Sequence, residues 1–219
     1  MGNDYVSPDL EVKHILARST KKFFGYGPAG RVVTAIQGDL VIFAAEFTGP
    51  GILTALPQHP FGRLAMRYIA DLYSKEVAPE LAILAREQFG VHLRAVLSDL
   101  DYETGKAMGV ALLDQPLLPV EQPAADDLAR EVAGAIGLLP GAVSVQIGPE
   151  ALVVRAPALA MPMGASAEDA FAALTAREAF RGRLRAGLVA ALAARNLPGG
   201  PVFVTHSDAG LLAGVLFRT

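Results

Sequence analysis

The sequence predicts an α+β protein of two tandem α-ββ-α(α)-ββ repeats, with antiparallel sheets, long helices packed on them and a pseudo-two-fold relation. Two observations lead to this prediction. Residues 114–123 contain three prolines and have the composition of a linker. On both sides of it, helical patterns and runs of β-branched residues follow one another in the same order. We therefore expect a first repeat over residues 1–113 and a second, diverged repeat over residues 124–219.

Each repeat begins with a helix and a β-hairpin. Apolar residues recur at helical spacing over residues 10–24 and again over residues 126–136. Glycine and proline then end the helix, and two β-rich runs meet at a glycine turn, which predicts a hairpin. In the first repeat, the residues assigned to these turns are Gly25, Gly27, Pro28, Gly38 and Asp39.

A long helical region and a second strand pair complete each repeat. The first long region covers residues 61–89, and Pro79 predicts a kink or an interruption in it. The second covers residues 167–196, with Gly182 and Gly187 as predicted breaks. The last strand pair of the first repeat is predicted to turn through a segment that begins at Asp99.

Composition bounds the class of protein. Of the 219 residues 52% are hydrophobic, so the chain can bury a sizeable core. The net charge of −3 argues against nucleic acid as a partner, since nonspecific affinity for it comes from neutralising phosphates. Because the chain has no cysteine, disulfides, thiolate nucleophiles and Cys-ligated metals are excluded.

The hydropathy pattern predicts no direct membrane insertion, although the mean hydropathy is +0.37. A spanning helix needs about 20 consecutive apolar residues, and glycines and a proline interrupt the best stretch, residues 132–147. The N-terminus lacks the pattern of a signal peptide. We expect a cytoplasmic protein that reaches the inner face of the membrane only through a partner.

No motif supports catalysis, a cofactor or a metal. Residues 25–30 match G-x-G-x-x-G, but they end a helix instead of opening one. Asp99 begins an alternation of acidic residues, yet Thr104 and Val110 stand where a calcium loop needs Gly and Glu. The four histidines lack the spacing of metal ligands on a helix. We therefore expect a protein that is not an enzyme.

Arginines on the long helices are the candidate binding residues. Arg177, Arg181 and Arg185 recur at i, i+4 and i+8, and Arg63 and Arg67 form a smaller pair. One interpretation is a solvated face, with Glu178 placed to pair with Arg181. The other is a stripe that binds an anion or a partner, because guanidinium groups suit carboxylate and phosphate. The sequence leaves both open.

Several short motifs of the first half point to a known family. They are Phe24-Gly25-Tyr26-Gly27-Pro28, Gly38-Asp39-Leu40-Val41, Leu53-Thr54, Gly62-Arg63-Leu64-Ala65-Met66-Arg67, Ala78-Pro79-Glu80-Leu81 and the segment from Gly90 to Gly105 that includes Asp99. With them the chain resembles the MpsC-like family, small soluble bacterial proteins, over about residues 9–113. The second half looks like a diverged copy that lacks the Gly-x-Gly-Pro turn.

The resemblance implies an accessory role and no catalytic residues. The family takes its name from a membrane system linked to cation-driven membrane potential and inorganic-carbon uptake, in which a small soluble component accompanies integral-membrane subunits. We therefore expect a cytosolic accessory or regulatory protein that docks on a membrane ion or bicarbonate transport complex. Its partner would be an integral-membrane transporter subunit, and a homo-oligomer stays open beside it. The alternative is a small-anion-binding module that uses the arginines.

Overall fold

The computed structural model describes residues 8–25, 32–46, 55–101, 106–117, 126–136, 140–157, 167–207 and 210–217. The chain divides into two compact units, Met1–Val120 and Glu121–Thr219. Each unit contains a shorter helix, a β-hairpin, a long helix and a second strand pair in that order. The predicted α+β class and the repeated order of elements are confirmed.

The helices and strands are numbered in chain order. Those of the first unit are α1 (Pro8–Phe24), β1 (Val33–Gln37), β2 (Leu40–Glu46), α2 (Pro60–Phe89), β3 (Leu93–Asp101) and β4 (Lys106–Leu113). Those of the second unit are α3 (Asp126–Ile136), β5 (Ser144–Ile147), β6 (Ala151–Ala156), α4 (Ala167–Ala194), β7 (Val202–Ser207) and β8 (Gly210–Leu216).

The first unit packs α1 and α2 on one face of an antiparallel sheet with the strand order β1-β2-β4-β3. Side chains alternate along a strand, so Val41 and Phe43 of β2 share a face. They form one core with Leu16 of α1 and Leu81 of α2. Ile42, between them, is also buried, so β2 is apolar on both faces. This is why the sequence shows a continuous apolar run there and no alternation.

The second unit repeats this arrangement with the strand order β5-β6-β8-β7. Its core joins Val132 of α3, Leu188 of α4, Val154 of β6 and Val215 of β8. Neighbouring strands pair in antiparallel register throughout, as they do in the first unit. Two different amino-acid sequences thus build the same layered unit.

The inner faces of the two long helices follow one pattern. Each buries apolar residues at successive intervals of four, three and one positions. In α2 these residues are Val77, Leu81, Leu84 and Ala85, and in α4 they are Leu184, Leu188, Ala191 and Leu192. Position 77 therefore corresponds to position 184, and counting outward from this pair relates the positions of α2 to those of α4. We call this correspondence the helix alignment.

Neither long helix is interrupted, so the interruptions that the sequence predicted at Pro79, Gly182 and Gly187 are absent from these two helices. The helix α2 continues through Pro79, and α4 continues through Gly182 and Gly187. Proline removes one backbone hydrogen bond, but Pro79 lies on the exposed side of α2 while Val77 and Leu81 beside it remain fully packed. Packing of the inner face therefore outweighs the local cost.

Strand β3 also differs from its prediction, since it extends to Asp101 and does not end before a turn at Asp99. Asp99 is paired in register with Met108 of β4, and Asp101 is paired with Lys106. Acidic residues favour turns by propensity, but here the backbone ladder continues through them. Asp99 is consequently a buried strand residue.

A glycine in the central strand of each unit makes room for a phenylalanine ring. Gly109 of β4 lies opposite Phe43 of β2, and a Cβ at Gly109 would overlap that ring. Gly214 of β8 lies opposite Phe203 of β7, where a Cβ would be 2.6 Å from ring atom Cε1. The ring comes from the strand on one side of the glycine in the first unit and from the other side in the second.

The contact between α1 and α2 contains a half-buried hydroxyl pair. The Tyr73 hydroxyl lies 2.8 Å from Thr20 Oγ1, which donates to the Leu16 carbonyl at 2.7 Å. Burial raises the pKa of Tyr73 from its ordinary value of 10.0, and the Thr20 contact opposes that shift. The helix alignment places Phe180 at the same position of α4. The hydroxyl is therefore particular to the first unit.

We predict that Gly109→Ala lowers the free energy of unfolding by about 1–3 kcal/mol, because the added Cβ must displace the Phe43 ring. In the double variant with Phe43→Leu, the loss of stability should be smaller than the sum of the losses in the two single variants, since the smaller side chain leaves space for the added Cβ. Urea unfolding measures both. The control is Gly182→Ala, which meets no atom within 4 Å and should raise stability by about 0.5–1 kcal/mol. Simple additivity of Gly109→Ala and Phe43→Leu would contradict the proposed overlap.

We predict that Tyr73→Phe costs about 0.5–1.5 kcal/mol at pH 7 through its lost hydrogen bonds. Because the folded-state pKa of Tyr73 is raised, its contribution is complete below pH 10 and is lost as the pH rises through the folded-state value. The stability difference between native protein and Tyr73→Phe should therefore shrink above pH 10. Urea titrations across that range test this, with the exposed Tyr68→Phe as the control; a constant difference would refute it.

Candidate functional site

One candidate arginine of the first unit is held in a buried ion pair. Arg67 Nη1 of α2 lies 2.8 Å from Asp99 Oδ1 of β3. Asp99 is only 1% exposed and the Arg67 side chain is largely buried. Removing two charges from water is costly and is offset only by a close, hydrogen-bonded contact. The pair therefore fixes α2 against the edge strand β3.

The sequence singled out both residues but did not bring them together. They are 32 positions apart, and the sequence predicts a turn at Asp99. No periodicity connects a helix residue with a strand residue across such a separation. The extension of β3 to Asp101 buries the Asp99 carboxylate and supplies the partner of Arg67.

The second unit also contains a buried arginine. Arg181 Nη1 lies 2.8 Å from Glu178 Oε1, three residues earlier in α4, which is the contact that the spacing predicted. However, Arg181 is only 8% exposed, so it lies on the inner side of the helix and not on a solvated face. Arg185 is half-buried, and the side chain of Arg177 lies outside the described residues. Arg63 of α2 is exposed.

The two buried arginines do not occupy equivalent positions. The helix alignment relates Arg181 to Ser74, whose hydroxyl donates to the Ala70 carbonyl at 3.1 Å, and relates Arg67 to Leu174. Each unit therefore holds an arginine of its own, paired with a carboxylate of its own. The repeat does not duplicate one arginine site.

The turn residues of the family resemblance have backbone roles where the structure describes them. Gly25 ends α1 with φ of 79°, and its N–H donates to the Lys21 carbonyl at 2.9 Å. At the first hairpin, Leu113 donates to the Asp39 carbonyl and Leu117 to the Gly38 carbonyl, at 2.9 and 2.8 Å. These two bonds tie the end of β4 to the hairpin. Gly27 and Pro28 lie outside the described residues.

Surface ion pairs link the helices of each unit. Arg18 and Lys22 of α1 contact Glu80 and Glu76 of α2, and the hydrogen bond to Glu76 raises the pKa of Lys22. In the second unit Glu131 of α3 contacts Arg195, directly after α4. The shorter helix thus supplies the acidic residue here, whereas it supplies the basic residues in the first unit. Contacts of this kind add little stability when they are exposed, but they occupy acidic groups on the outer side of α2.

The outer side of α2 carries an apolar stripe that the sequence analysis missed. Phe61, Tyr68 and Ile83 are 72, 64 and 48% exposed. At 100° per residue they fall on one side of the helix, opposite its buried face. Three smaller or half-buried residues of the same side fill the gaps between them. We call the six residues the α2 stripe: Phe61, Ala65, Tyr68, Leu72, Pro79 and Ile83.

The second unit shows that the fold does not require the α2 stripe. In the helix alignment its six positions correspond in α4 to Glu168, Ala172, Thr175, Ala179, Ala186 and Ala190. Every large side chain of the stripe is replaced there by a small or polar one. A helical wheel of residues 60–89 shows apolar residues on two opposite sides, and this signal was available in the sequence.

Other kinds of site find no support among the described residues. No described helix combines the length and hydropathy that a membrane crossing demands. Within the same residues no group of three or more acidic or histidine side chains is arranged to hold a metal. Comparison with protein-family models, curated proteins and solved structures finds no match for the chain. The MpsC-like resemblance therefore stays a prediction.

We predict that Asp99→Asn lowers the free energy of unfolding by about 3–5 kcal/mol, because Arg67 then keeps a buried charge without its carboxylate. The double variant Arg67→Met with Asp99→Leu should be clearly more stable than Asp99→Asn, since no charge remains buried. Urea unfolding of each variant is the measurement.

The matched control for this pair is Arg18→Ala, which breaks the exposed contact with Glu80. It should cost no more than about 1 kcal/mol. If Asp99→Asn cost as little as Arg18→Ala, the Arg67–Asp99 pair would not hold α2 against β3.

Proposed function

We propose that the protein is a non-enzymatic accessory protein that acts through protein–protein contacts and docks on a membrane ion or bicarbonate transport complex. The single observation that supports an interaction role is the α2 stripe, in which three large apolar side chains are exposed along one side of the helix. The transport complex is what the MpsC-like resemblance implies for the partner. The two parts of the proposal thus have separate grounds.

The α2 stripe is a surface of the kind found in protein interfaces. The solvent side of a surface helix is normally polar, and contiguous exposed apolar groups commonly mark an interaction site. Phenylalanine and tyrosine offer large contact area with few rotatable bonds, and tyrosine is frequent among residues that dominate binding energy. The polar and alanine-rich composition of the equivalent positions of α4 argues that the stripe serves something other than folding.

The alternative, a small-anion-binding module, has less support. Arg67 and Arg181 already contact carboxylates of the same chain at 2.8 Å. A phosphate or bicarbonate would have to displace Asp99 or Glu178 from a mostly buried contact, at the cost of leaving a carboxylate poorly paired. Arg63 is exposed, so water and salt would screen its attraction for an anion.

We predict that the tagged full chain, purified from detergent-solubilised membranes of its own host, retains an integral-membrane transporter subunit that mass spectrometry identifies. The tag alone, expressed at the same level, should retain none. Recovery of the chain without any integral-membrane subunit, in repeated preparations at low salt, would overturn the docking proposal.

The anion alternative is tested on the same purified chain. Isothermal titration with sodium bicarbonate and with inorganic phosphate should give no saturable heat under the accessory proposal. Saturable binding that Arg67→Ala or Arg181→Ala abolishes in a folded variant would replace that proposal with the alternative.

A further inference from the structure

We infer that a second copy of this chain covers the α2 stripe, with the two α2 helices antiparallel and a two-fold axis beside Leu72. The inference rests on the proposed function only in that the stripe is taken as a protein contact surface. Its occupant, its direction and its central residue follow from the sequence positions and exposures of the described residues of α2.

Two pairs of residues in the α2 stripe are symmetric about Leu72, whereas the counterpart of Tyr68 is Glu76, outside the stripe. Phe61 and Ile83 lie eleven residues before and after it, and Ala65 and Pro79 lie seven residues before and after it. A two-fold axis maps a helix onto an antiparallel copy, so residues equally far from the axis on opposite sides face each other. Phe61 of one copy therefore meets Ile83 of the other, and Ala65 meets Pro79. Large groups face large groups, and small groups face small ones.

The stripe is also long enough for such a contact. From Phe61 to Ile83 the helix rises about 33 Å. A seven-residue repeat drifts by only about 20° per repeat on a straight helix. The stripe therefore stays on one side of α2 over its whole length, as the exposures of Phe61, Tyr68 and Ile83 show.

Charges along one margin of the stripe complement each other across the same axis. Asp71 and Lys75 are both exposed and lie on the same side of the line through the stripe. A two-fold axis in the plane of contact brings like margins together, so Lys75 of one copy lies beside Asp71 of the other. Along the helix axis, Lys75 of one copy and Asp71 of the other are offset by two residues, about 3 Å. Two equivalent pairs of opposite charge result.

Tyr68 lies on this margin as well. The axis places it one residue along the helix from Lys75 of the other copy, and an ammonium group is attracted to the face of an aromatic ring. The third large side chain of the stripe therefore also has a favourable neighbour in the symmetric contact.

On the opposite margin, the acidic residues between Phe61 and Ile83 are already paired within the chain. Glu76 and Glu80 lie there, and Lys22 and Arg18 of the same chain already contact them. A heterologous partner would need no symmetry in α2, and an anionic membrane surface would favour a strongly basic margin. The symmetric spacing and the complementary charges of the first margin favour a second copy.

The small size of the surface predicts a weak association. A contact about 33 Å long and about 10–12 Å wide buries roughly 350 Å² per copy, below the roughly 800 Å² of a standard stable interface. We therefore expect a reversible dimer with a dissociation constant in the micromolar range. The dimer should accordingly dissociate when the purified chain is diluted.

Sedimentation velocity of the full chain from about 5 to about 300 µM tests the association directly. Native protein should shift from monomer to dimer over this range. Ile83→Asp should raise the dissociation constant at least about tenfold, because it sets a charge against the Phe61 ring. The matched control is Ala190→Asp at the equivalent position of α4, which should leave dimerisation unchanged.

Charge exchange tests the direction and the register. Lys75→Asp alone, or Asp71→Lys alone, should weaken the dimer about five- to twentyfold, since two unfavourable pairs arise at once. The combination Asp71→Lys with Lys75→Asp should restore the native dissociation constant to within about threefold. Failure of the combination to restore it would refute the antiparallel register.

Single cysteines give an independent readout, because the chain contains none of its own. Leu72→Cys should form a disulfide-linked dimer under mild oxidation, since the two copies of position 72 adjoin the axis. Phe61→Cys alone should not, whereas a mixture of Phe61→Cys and Ile83→Cys should. Cross-linking of Phe61→Cys with itself would indicate parallel helices and overturn the proposal.

A monomer at every concentration also overturns the inference, and so does a dimer that Ile83→Asp and Ala190→Asp affect equally. These results are separable from the docking proposal, because they use the purified chain without membranes. A transporter subunit recovered with a monomeric chain would leave the docking proposal standing and refute the dimer. A dimer without any membrane partner would do the reverse.

Discussion

Both units depend on the burial of one side of a long helix against a four-stranded sheet. The inner residues of α2 and α4 recur at the same intervals, and four of them, Val77, Leu81, Leu184 and Leu188, are almost completely buried. Fully burying a side chain of this size contributes about 1.5–3 kcal/mol. This constraint explains why Pro79 and Gly182 sit within unbroken helices. It places no such demand on the outer sides of both helices, so those sides can differ between the units.

The candidate binding arginines and the exposed apolar residues of α2 differ in how accessible they are to a partner. Two of the candidate binding arginines form ion pairs within the chain: Arg67 with Asp99, and Arg181 with Glu178. A buried pair of this kind is costly to break and holds its elements in one arrangement. The α2 stripe, by contrast, is an exposed apolar surface, and it belongs to the first unit.

The proposed dimer and the proposed docking role use different surfaces of the protein. In the dimer, α2 is a self-complementary surface centred on Leu72, with Asp71 and Lys75 setting its direction. An accessory protein of this kind would present two copies of its remaining surface to a larger complex. Such bivalence raises avidity without any new contact, provided that the geometry allows both copies to engage.

The sequence by itself determined the α+β class, the order of elements and the positions of most helices and strands. These features depend on periodicity and on glycine or proline at the ends of elements, which are local properties of the chain. It also predicted the pair of Glu178 and Arg181, because three residues separate neighbours on a helix.

Only the tertiary structure decided which residues are buried together. It joined Arg67 to Asp99 over 32 positions, extended β3 through acidic residues, set Phe43 over Gly109 and left Phe61 exposed. Each of these outcomes depends on which face of one element meets another. A pattern along a single segment carries the period of its apolar residues, but it does not state which of two apolar sides will face the core.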